Sequence, residues 1–266
     1  LSIASVVKDI IYIVYCTIRK ISLAPSYCTQ TEWKSFWDII KILKEKTLKL
    51  DQVELESYLI GDQEAIAIAG VLELTQVTKL DLAHKSIKQE GCKAIAEVIP
   101  KTRLTYLNLK ANKVGEQVGC LLASSLPDSQ IRELCLSQCS VGNSFAQRIG
   151  SILPECQLES LDLSYNNISK TGAKFIVAGL TKLSSLDLSG NFLCDSGAEA
   201  LGKVLENSGL KVLKLNSCGI RIKGLLSISN GLLESELQIL ELGNNFVDFE
   251  EEKAILLLLN SSHLSF

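Results

Sequence analysis

From Leu50 onward the chain repeats one arrangement of apolar and polar positions. A unit opens with an apolar residue at Leu50, Val77, Leu104, Ile131, Leu158, Leu183, Leu210 and Leu237, at intervals of 27 residues except for 25 between Leu158 and Leu183. The fourth position is Val53, Leu80, Leu107, Leu134, Leu161, Leu186, Leu213 and Leu240, and the sixth is apolar in every unit from Leu55 to Leu242. Positions 3 to 7 alternate polar and apolar, the period of a strand whose successive side chains point to opposite faces. The second half of the unit changes period. Position 19 (Ile68, Ile95, Leu122, Ile149, Ile176, Leu201, Ile228, Ile255) and position 23 (Leu72, Ile99, Leu126, Leu153, Leu180, Leu205, Leu232, Leu259) combine with mostly small residues at positions 16 and 20. This i, i+3, i+4, i+7 spacing predicts a helix with one buried face. The two residues missing from the fifth unit fall after Leu180, in the helix-to-strand loop, where length changes are tolerated.

Residues 1–49 do not carry the repeat. Val6–Ile21 is apolar, but Lys8, Asp9, Arg19 and Lys20 cut it to a core of nine residues, Ile10–Ile18, short of the ~20 that span a bilayer. The order of a signal peptide is absent. A buried helix packed on the repeats is the expected state. An interfacial membrane segment or a strand stays open, because the segment is rich in β-branched residues. Thr29 and Glu32 read as a capping box for a second helix with a stripe of Trp33, Phe36, Trp37, Ile40 and Leu43. The expected organisation is therefore a helical N-terminal cap or leader, 1–49, followed by eight units over 50–266. The start of a ninth strand falls at Leu264, Ser265 and Phe266.

The unit is clearest in LESLDLSYNNIS, Leu158 to Ser169, and in LSSLDLSGNFLC, Leu183 to Cys194. Both fit the leucine-rich-repeat signature L-x-x-L-x-L-x-x-N/C-x-L. Strand plus helix at a 27-residue period resembles the ribonuclease-inhibitor-like subfamily of these repeats. The resemblance implies an α/β solenoid: a right-handed horseshoe with parallel strands concave and helices convex. It also implies that position 9 (Tyr58, Lys85, Asn112, Cys139, Asn166, Asn191, Cys218, Asn245) buries Asn or Cys in the turn after the strand. Tyr58 and Lys85 break that rule and predict looser turns in the first two units.

Charge changes the picture of partners. Residues 1–49 carry eight Lys/Arg and four Asp/Glu, and 50–266 carry 19 and 26, so the leader is basic and the repeats acidic. That disfavours nucleic-acid binding through the repeats. Nine cysteines at irregular spacing, without a C-x-x-C pair, fit reduced thiols in a cytoplasmic compartment. The chain contains no Met, so it is expected to begin inside a longer or processed protein.

The sequence predicts no catalytic, cofactor or metal site. Gly197–Val204 (GAEALGKV) has Val204 where a phosphate loop needs Ser or Thr. His84 and His263 stand far apart, and Cys135 with Cys139 is too weak a ligand set. The informative set is the outward strand column at position 5: Glu54, Asp81, Asn108, Cys135, Asp162, Asp187, Lys214 and Glu241. Strands ~4.8 Å apart place Glu54 beside Asp81 and Asp162 beside Asp187, like charges that a basic partner relieves. Tyr106, Tyr165, Phe192 and Phe246, at or just beyond the strand ends, supply aromatic anchors. The reading is a non-enzymatic module that binds a basic protein surface on its acidic concave face and strand-to-helix rim. Its leader contacts another domain or chain, and membrane association is not expected. Two alternatives remain. The leader and repeats resemble the C-terminal sensor or autoinhibitory part of NACHT-type innate receptors. Ran-activating proteins place an Arg on the rim, where this chain has Arg221.

Overall fold

The computed structural model describes residues 60–180, 182–232 and 235–246, and the backbone of Lys20–Leu23 and Gln52–Leu55. Among them, β1 (Lys20–Leu23), β2 (Gln52–Leu55), β3 (Lys79–Asp81), β4 (Tyr106–Asn108), β5 (Glu133–Cys135), β6 (Ser160–Asp162), β7 (Ser185–Asp187), β8 (Val212–Lys214) and β9 (Ile239–Glu241) form one curved, open sheet. The strands lie in chain order and every pairing is parallel. In each unit the strand begins at position 3, where the alternation begins. Between strands run α1 (Asp62–Leu72), α2 (Gln89–Val98), α3 (Gly115–Ser125), α4 (Gly142–Ile152), α5 (Lys170–Ala178), α6 (Cys194–Gly202) and α7 (Ile222–Leu232).

The core fills the space between the layers. Leu80, Leu107, Leu134, Leu161, Leu186 and Leu213 at position 4, and the position-6 leucines from Leu82 to Leu215, are buried, as are the helix columns at positions 19 and 23 up to Leu232. Each fully buried Leu or Ile contributes roughly 1.5–3 kcal/mol, and no unit buries its own faces without a neighbour. Helices α4 and α5 approach backbone to backbone, since a Cβ on Gly150 would lie 2.1 Å from the Phe175 carbonyl oxygen. The same contact joins α6 to α7 at Gly202, 2.2 Å from the Ser227 oxygen. Gly197–Val204 begins within α6, so it is not the open turn that a phosphate needs. No helix among the described residues is long and apolar enough to cross a membrane.

Three recurring polar devices hold the stack. Asn166 is fully buried: its Oδ1 accepts from the amides of Cys139 (3.0 Å) and Val141 (3.2 Å) in the preceding unit. Its Nδ2 donates to the carbonyls of Leu136 (2.7 Å) and Ser164 (3.1 Å). Asn112, Asn191 and Asn245 repeat the pattern. Cys139 and Cys218 keep the donor half, to Leu109 (3.1 Å) and Leu188 (3.3 Å). Burial pushes their thiols up to about 11 and about 12, so both remain protonated donors.

The second device caps helices from outside. Asp62 Oδ1 accepts the amides of Lys88 (2.8 Å) and Gly91 (3.0 Å) at the start of α2, and Asp195 Oδ1 does the same for Arg221 (2.8 Å) and Gly224 (3.0 Å) at α7. Asn143 accepts from Ser169 at α5. A Cβ on Gly91, Gly172 or Gly224 would meet these oxygens at 2.8, 2.3 and 2.9 Å, so each cap residue is followed 29 positions later by a glycine. Third, Thr75, Thr102, Ser129, Ser208 and Ser235 donate to the last helical-turn carbonyl and accept the amide that opens the next unit.

Two expectations change. The helix expected over Val6–Ile21 does not reach its end, because Lys20 and Ile21 belong to β1, with Ile21 opposite Val53. A β-branched segment beside an otherwise unpaired strand edge gains ladder bonds as a strand that a helix would forgo. The turn at Lys85 is not looser than the others. His84 has φ 57°, as Ala111, Gln138 and Tyr165 have at the same position, and Asn112 of the next unit accepts the Ile87 amide. The turn depends on its neighbour's amide rather than its own residue. The leader helix around Trp33, the turn at Tyr58, the last helix near Ala254 and the strand at Leu264 lie outside the described residues.

Asn166→Ala leaves several buried groups unpaired and is expected to cost about 3 kcal/mol in urea denaturation, whereas Asn166→Cys, which retains the donor, loses about half as much. Asp195→Ala is expected to cost about 1 kcal/mol and to speed amide exchange at Gly224 while leaving Gly91 unchanged.

Candidate interaction surface

The strand face exposes the position-5 column in the expected register, with Glu54 opposite Asp81, Asp162 opposite Asp187 and Lys214 opposite Glu241. The side chain of Glu54 lies outside the described residues. Each short acid or amide here first serves its own strand end. Asp81, Asn108, Asp162 and Asp187 accept the amide two residues on, from Ala83, Lys110, Ser164 and Ser189, at 2.8–3.0 Å.

What answers the remaining charge differs along the face. Asn108 donates to Asp81 at 3.0 Å. Glu241 takes the Lys214 ammonium at 2.7 Å and the Asn216 amide at 2.7 Å, and the Lys214 hydrogen bond is the main cause that holds its carboxyl below the usual range. Asp162 and Asp187 have no such ion pair among the described residues, although Lys214 lies opposite Asp187. Asp162 receives the Cys135 thiol at 3.2 Å and the Ser164 hydroxyl at 2.7 Å. Burial pushes the Cys135 thiol up to about 12, which keeps the proton on sulfur. Asp187 is raised above 3.8, first by burial and further by Asp162, against the hydrogen bonds from Ser189 and the charge of Lys214. Ser137, Ser164 and Ser189 are buried, and the Ser137 hydroxyl, 2.7 Å from that of Ser164, donates to it while Ser164 donates to Asp162.

The aromatic residues fall into two places. Tyr106 stands at the start of β4 on the strand face, with the Lys79 ammonium 5.9 Å from its ring centre. Tyr165, Phe192 and Phe246 occupy the strand-to-helix loops and are 53%, 68% and 69% exposed, the most exposed large hydrophobic residues among those described. Tyr165 has φ 56°, and its ring covers Gly190, where a Cβ would lie 2.3 Å from Cδ1. Gly190 follows Asp187 by three residues, so the tyrosine packs on the turn that leaves β7. Gly219, with φ +68°, lies between Cys194 and Phe246; its Cβ position is 3.8 Å from Cys194 Sγ and 3.8 Å from Phe246 Cε2. Arg221 is exposed, its backbone bound to Asp195.

The structure thus sets Asp162 opposite Asp187, seats the Tyr165 ring on Gly190 in the turn after β7, leaves Phe192 and Phe246 two units apart on the loop edge, and keeps Asp81 and Tyr106 two or more strands from the pair. Sequence reasoning missed Gly190, Gly219 and Cys194. The strand alternation sets Ser164 outward with Asp162 and Tyr165, but Ser164 is buried, as are Ser137 and Ser189 at the same position of the neighbouring units.

Asp187→Asn tests the electrostatics. A carboxyl raised in the folded state destabilises the fold when ionised, so the cost is present at neutral pH and disappears as pH falls through the raised value toward 3.8. Asn108 shows that an amide makes the same turn bond. The variant is therefore expected to unfold at a higher temperature than wild type at pH 7 and to lose that advantage near pH 3.5.

Known proteins place the repeat. Residues 156–177 and 179–202 match the family model described as Leucine Rich repeat. Leucine-rich repeat-containing protein 45 of Gallus gallus is 39% identical over 88 residues, which are 30% of this chain and 13% of that protein. The chain therefore matches only a small part of that relative's length. Among solved structures, Leiomodin-1 Actin-Binding Site 2 (ABS2) aligns with a TM-score of 0.39 at 15% identity, over 65% of this chain and 88% of that one. A likeness of that size carries no argument about function. The repeat match and the parallel strand-and-helix stack together show that this chain carries leucine-rich repeats folded as a solenoid.

Proposed function

We propose that the chain is a protein-binding module of the ribonuclease-inhibitor-like type, and that a partner's basic surface docks on the acidic strand face and the loop edge beside it. The 27-residue period with a helix in each unit supports the subfamily. The binding reading rests on one observation: Asp162 and Asp187 face each other on adjacent strands, with hydroxyls and a thiol as hydrogen-bond partners, and the nearest strand-face cation, Lys214 across from Asp187, is ion-paired to Glu241 among the described residues. Such a pair is held together at a cost in free energy that an incoming ammonium or guanidinium removes. Tyr165 beside it adds a ring face for a cation.

Cys92, Cys139, Cys156 and Cys218 are free and buried in the core, which supports a reducing, cytoplasmic setting as part of this reading. The outward residues differ from unit to unit while the inward ones do not, as expected of a scaffold whose specificity sits on the strand face.

Asn108 and Lys214 occupy the same column, so both replacements fit the backbone there. The double variant Asp162→Asn, Asp187→Asn is expected to bind the physiological partner about tenfold more weakly, and Asp162→Lys, Asp187→Lys more weakly still. Wild-type affinity is expected to fall as salt rises from 50 to 300 mM (about a sixfold span), with a shallower slope for both variants. Unchanged affinity and slope in surface plasmon resonance sink the reading.

A further inference from the structure

The joints between successive units differ in how their helices are tied. A Cβ on Gly150 in α4 would lie 2.1 Å from the Phe175 carbonyl oxygen, and one on Gly179, just past α5, 2.1 Å from the Gly150 oxygen. Gly202 and Gly231 interlock α6 with α7 in the same way, at 2.2 Å from the Ser227 oxygen and 2.1 Å from the Gly202 oxygen. Polar ties add to both joints: Asn143 accepts the Ser169 amide, Asp195 accepts those of Arg221 and Gly224, and Glu199 pairs with Lys223 at 2.8 Å. Asp62 caps α2 from α1. Between α3 and α4, Glu116 accepts the Ser144 hydroxyl and Ser124 accepts Arg148 Nε at 3.0 Å.

The joint between α5 and α6 has none of these ties. Position 13, which carries Asp62, Asn143 and Asp195, holds Lys170 there, and an ammonium cannot accept. Val177 and Val204 stand at the two positions that carry the interlocking glycines elsewhere. A Cβ on Gly197 would meet Ala173 Cβ at 3.5 Å, an ordinary apolar contact. No hydrogen bond or ion pair joins α5 to α6 among the described residues. Helices α2 and α3 also lack such a bond, but Asn108 donates to Asp81 across the strands of their units. The strands of the α5 and α6 units instead set Asp162 opposite Asp187. Along strands and turns the joint is well fastened. Leu163 donates to the Asp187 carbonyl (2.9 Å), Phe192 donates to the Ile168 carbonyl (2.8 Å), and Asn191 accepts the amides of Asn166 (3.0 Å) and Ile168 (2.9 Å). Lys182, in the shortened connection after α5, donates to the Pro154 carbonyl at 2.8 Å, which holds that connection to the preceding unit.

A joint fastened on one side and sliding on apolar contacts on the other is a hinge. We propose that the solenoid flexes between α5 and α6, with the β6–β7 ladder as the pin, so that the units before Leu180 and those after Leu183 move as two stiff blocks. Tighter curvature brings the outward strand columns together, and the like charges of Asp162 and Asp187 oppose it. The pair therefore sets the resting bend. A partner that spans both blocks selects one curvature. This flexing does not depend on the acidic-face reading.

Ser151, Ala178, Lys203 and Asn230 occupy one exposed position in four successive units. Spin labels attached there in pairs through keto amino acids leave the cysteines untouched, and double electron–electron resonance on the full chain reads the distances. The 178–203 distribution is expected to be broader than those of 151–178 and 203–230 by about 2 Å. In Asp162→Asn, Asp187→Asn its mean is expected to lengthen by about 1–2 Å as the helices spread, while the other two pairs stay fixed. Equal widths for the three pairs overturn the hinge, and so does greater breadth at 151–178 or 203–230. A broad 178–203 distribution that the double variant leaves in place overturns the role of the charges. Distance and affinity are read separately, so a chain that bends but binds no basic partner keeps the hinge and loses the acidic-face reading.

Discussion

A tight turn at the end of a short strand leaves amides and a carbonyl with no partner in their own unit, and burying them unpaired costs more than most single contacts return. Here the following unit completes the turn. The amide of Asn166 reaches back to Cys139, Val141 and Leu136, and Asn191 reaches back to Asn166, Ile168 and Leu163. An amide suits this position because it accepts and donates from one planar group. A cysteine supplies the donor alone. The dependence is directional, so that each turn is secured by what comes after it, and the caps from Asp62 and Asp195 run the other way, from one unit to the helix of the next. Neighbouring units are thus tied in both directions by polar bonds as well as by the shared apolar core, the nearest-neighbour coupling that makes a repeat stack cooperative.

These ties also shape the surface. With positions 4, 6, 9 and 11 committed to the interior, the outward strand column and the loop edge are left to vary. Even there, the acids first accept their own strand-end amides, and only what remains is available to a partner. Asp81 and Glu241 find that remainder in Asn108 and Lys214. Asp162 and Asp187 stand directly opposite each other, so each adds its charge to the other's, while the Lys214 ammonium across from Asp187 is bound to Glu241.

The repeat, the strand positions, the helix faces and the register were all legible because one period of 27 residues is sampled eight times. The reading failed where the reason lay between units. Lys85 looked like a defect because its turn was judged by its own residue, while the bond that secures the turn comes from Asn112. The strand at Lys20–Leu23 was obscured because its alternation lasts only four residues at the end of a longer apolar run, and the open edge of β2, which recruits it, is a property of the assembled sheet. The glycines at 91, 172 and 224 drew no reading within their own units; each leaves room for a carboxylate or amide 29 residues earlier.

The sequence by itself determined the architecture, because burial is enforced residue by residue and a conserved spacing of apolar positions admits only one way to stack strand and helix. It also set strand positions 3 and 5 outward, since a strand's period of two leaves no choice there, whereas the serines at position 7, past the strand ends, are buried. Tertiary structure alone decided what those side chains do. Whether an acid is answered by an amide, a lysine or a thiol depends on the strand beside it. Contacts across units set these outcomes, and pairwise distances across 25 to 30 residues of chain are not written in any one repeat.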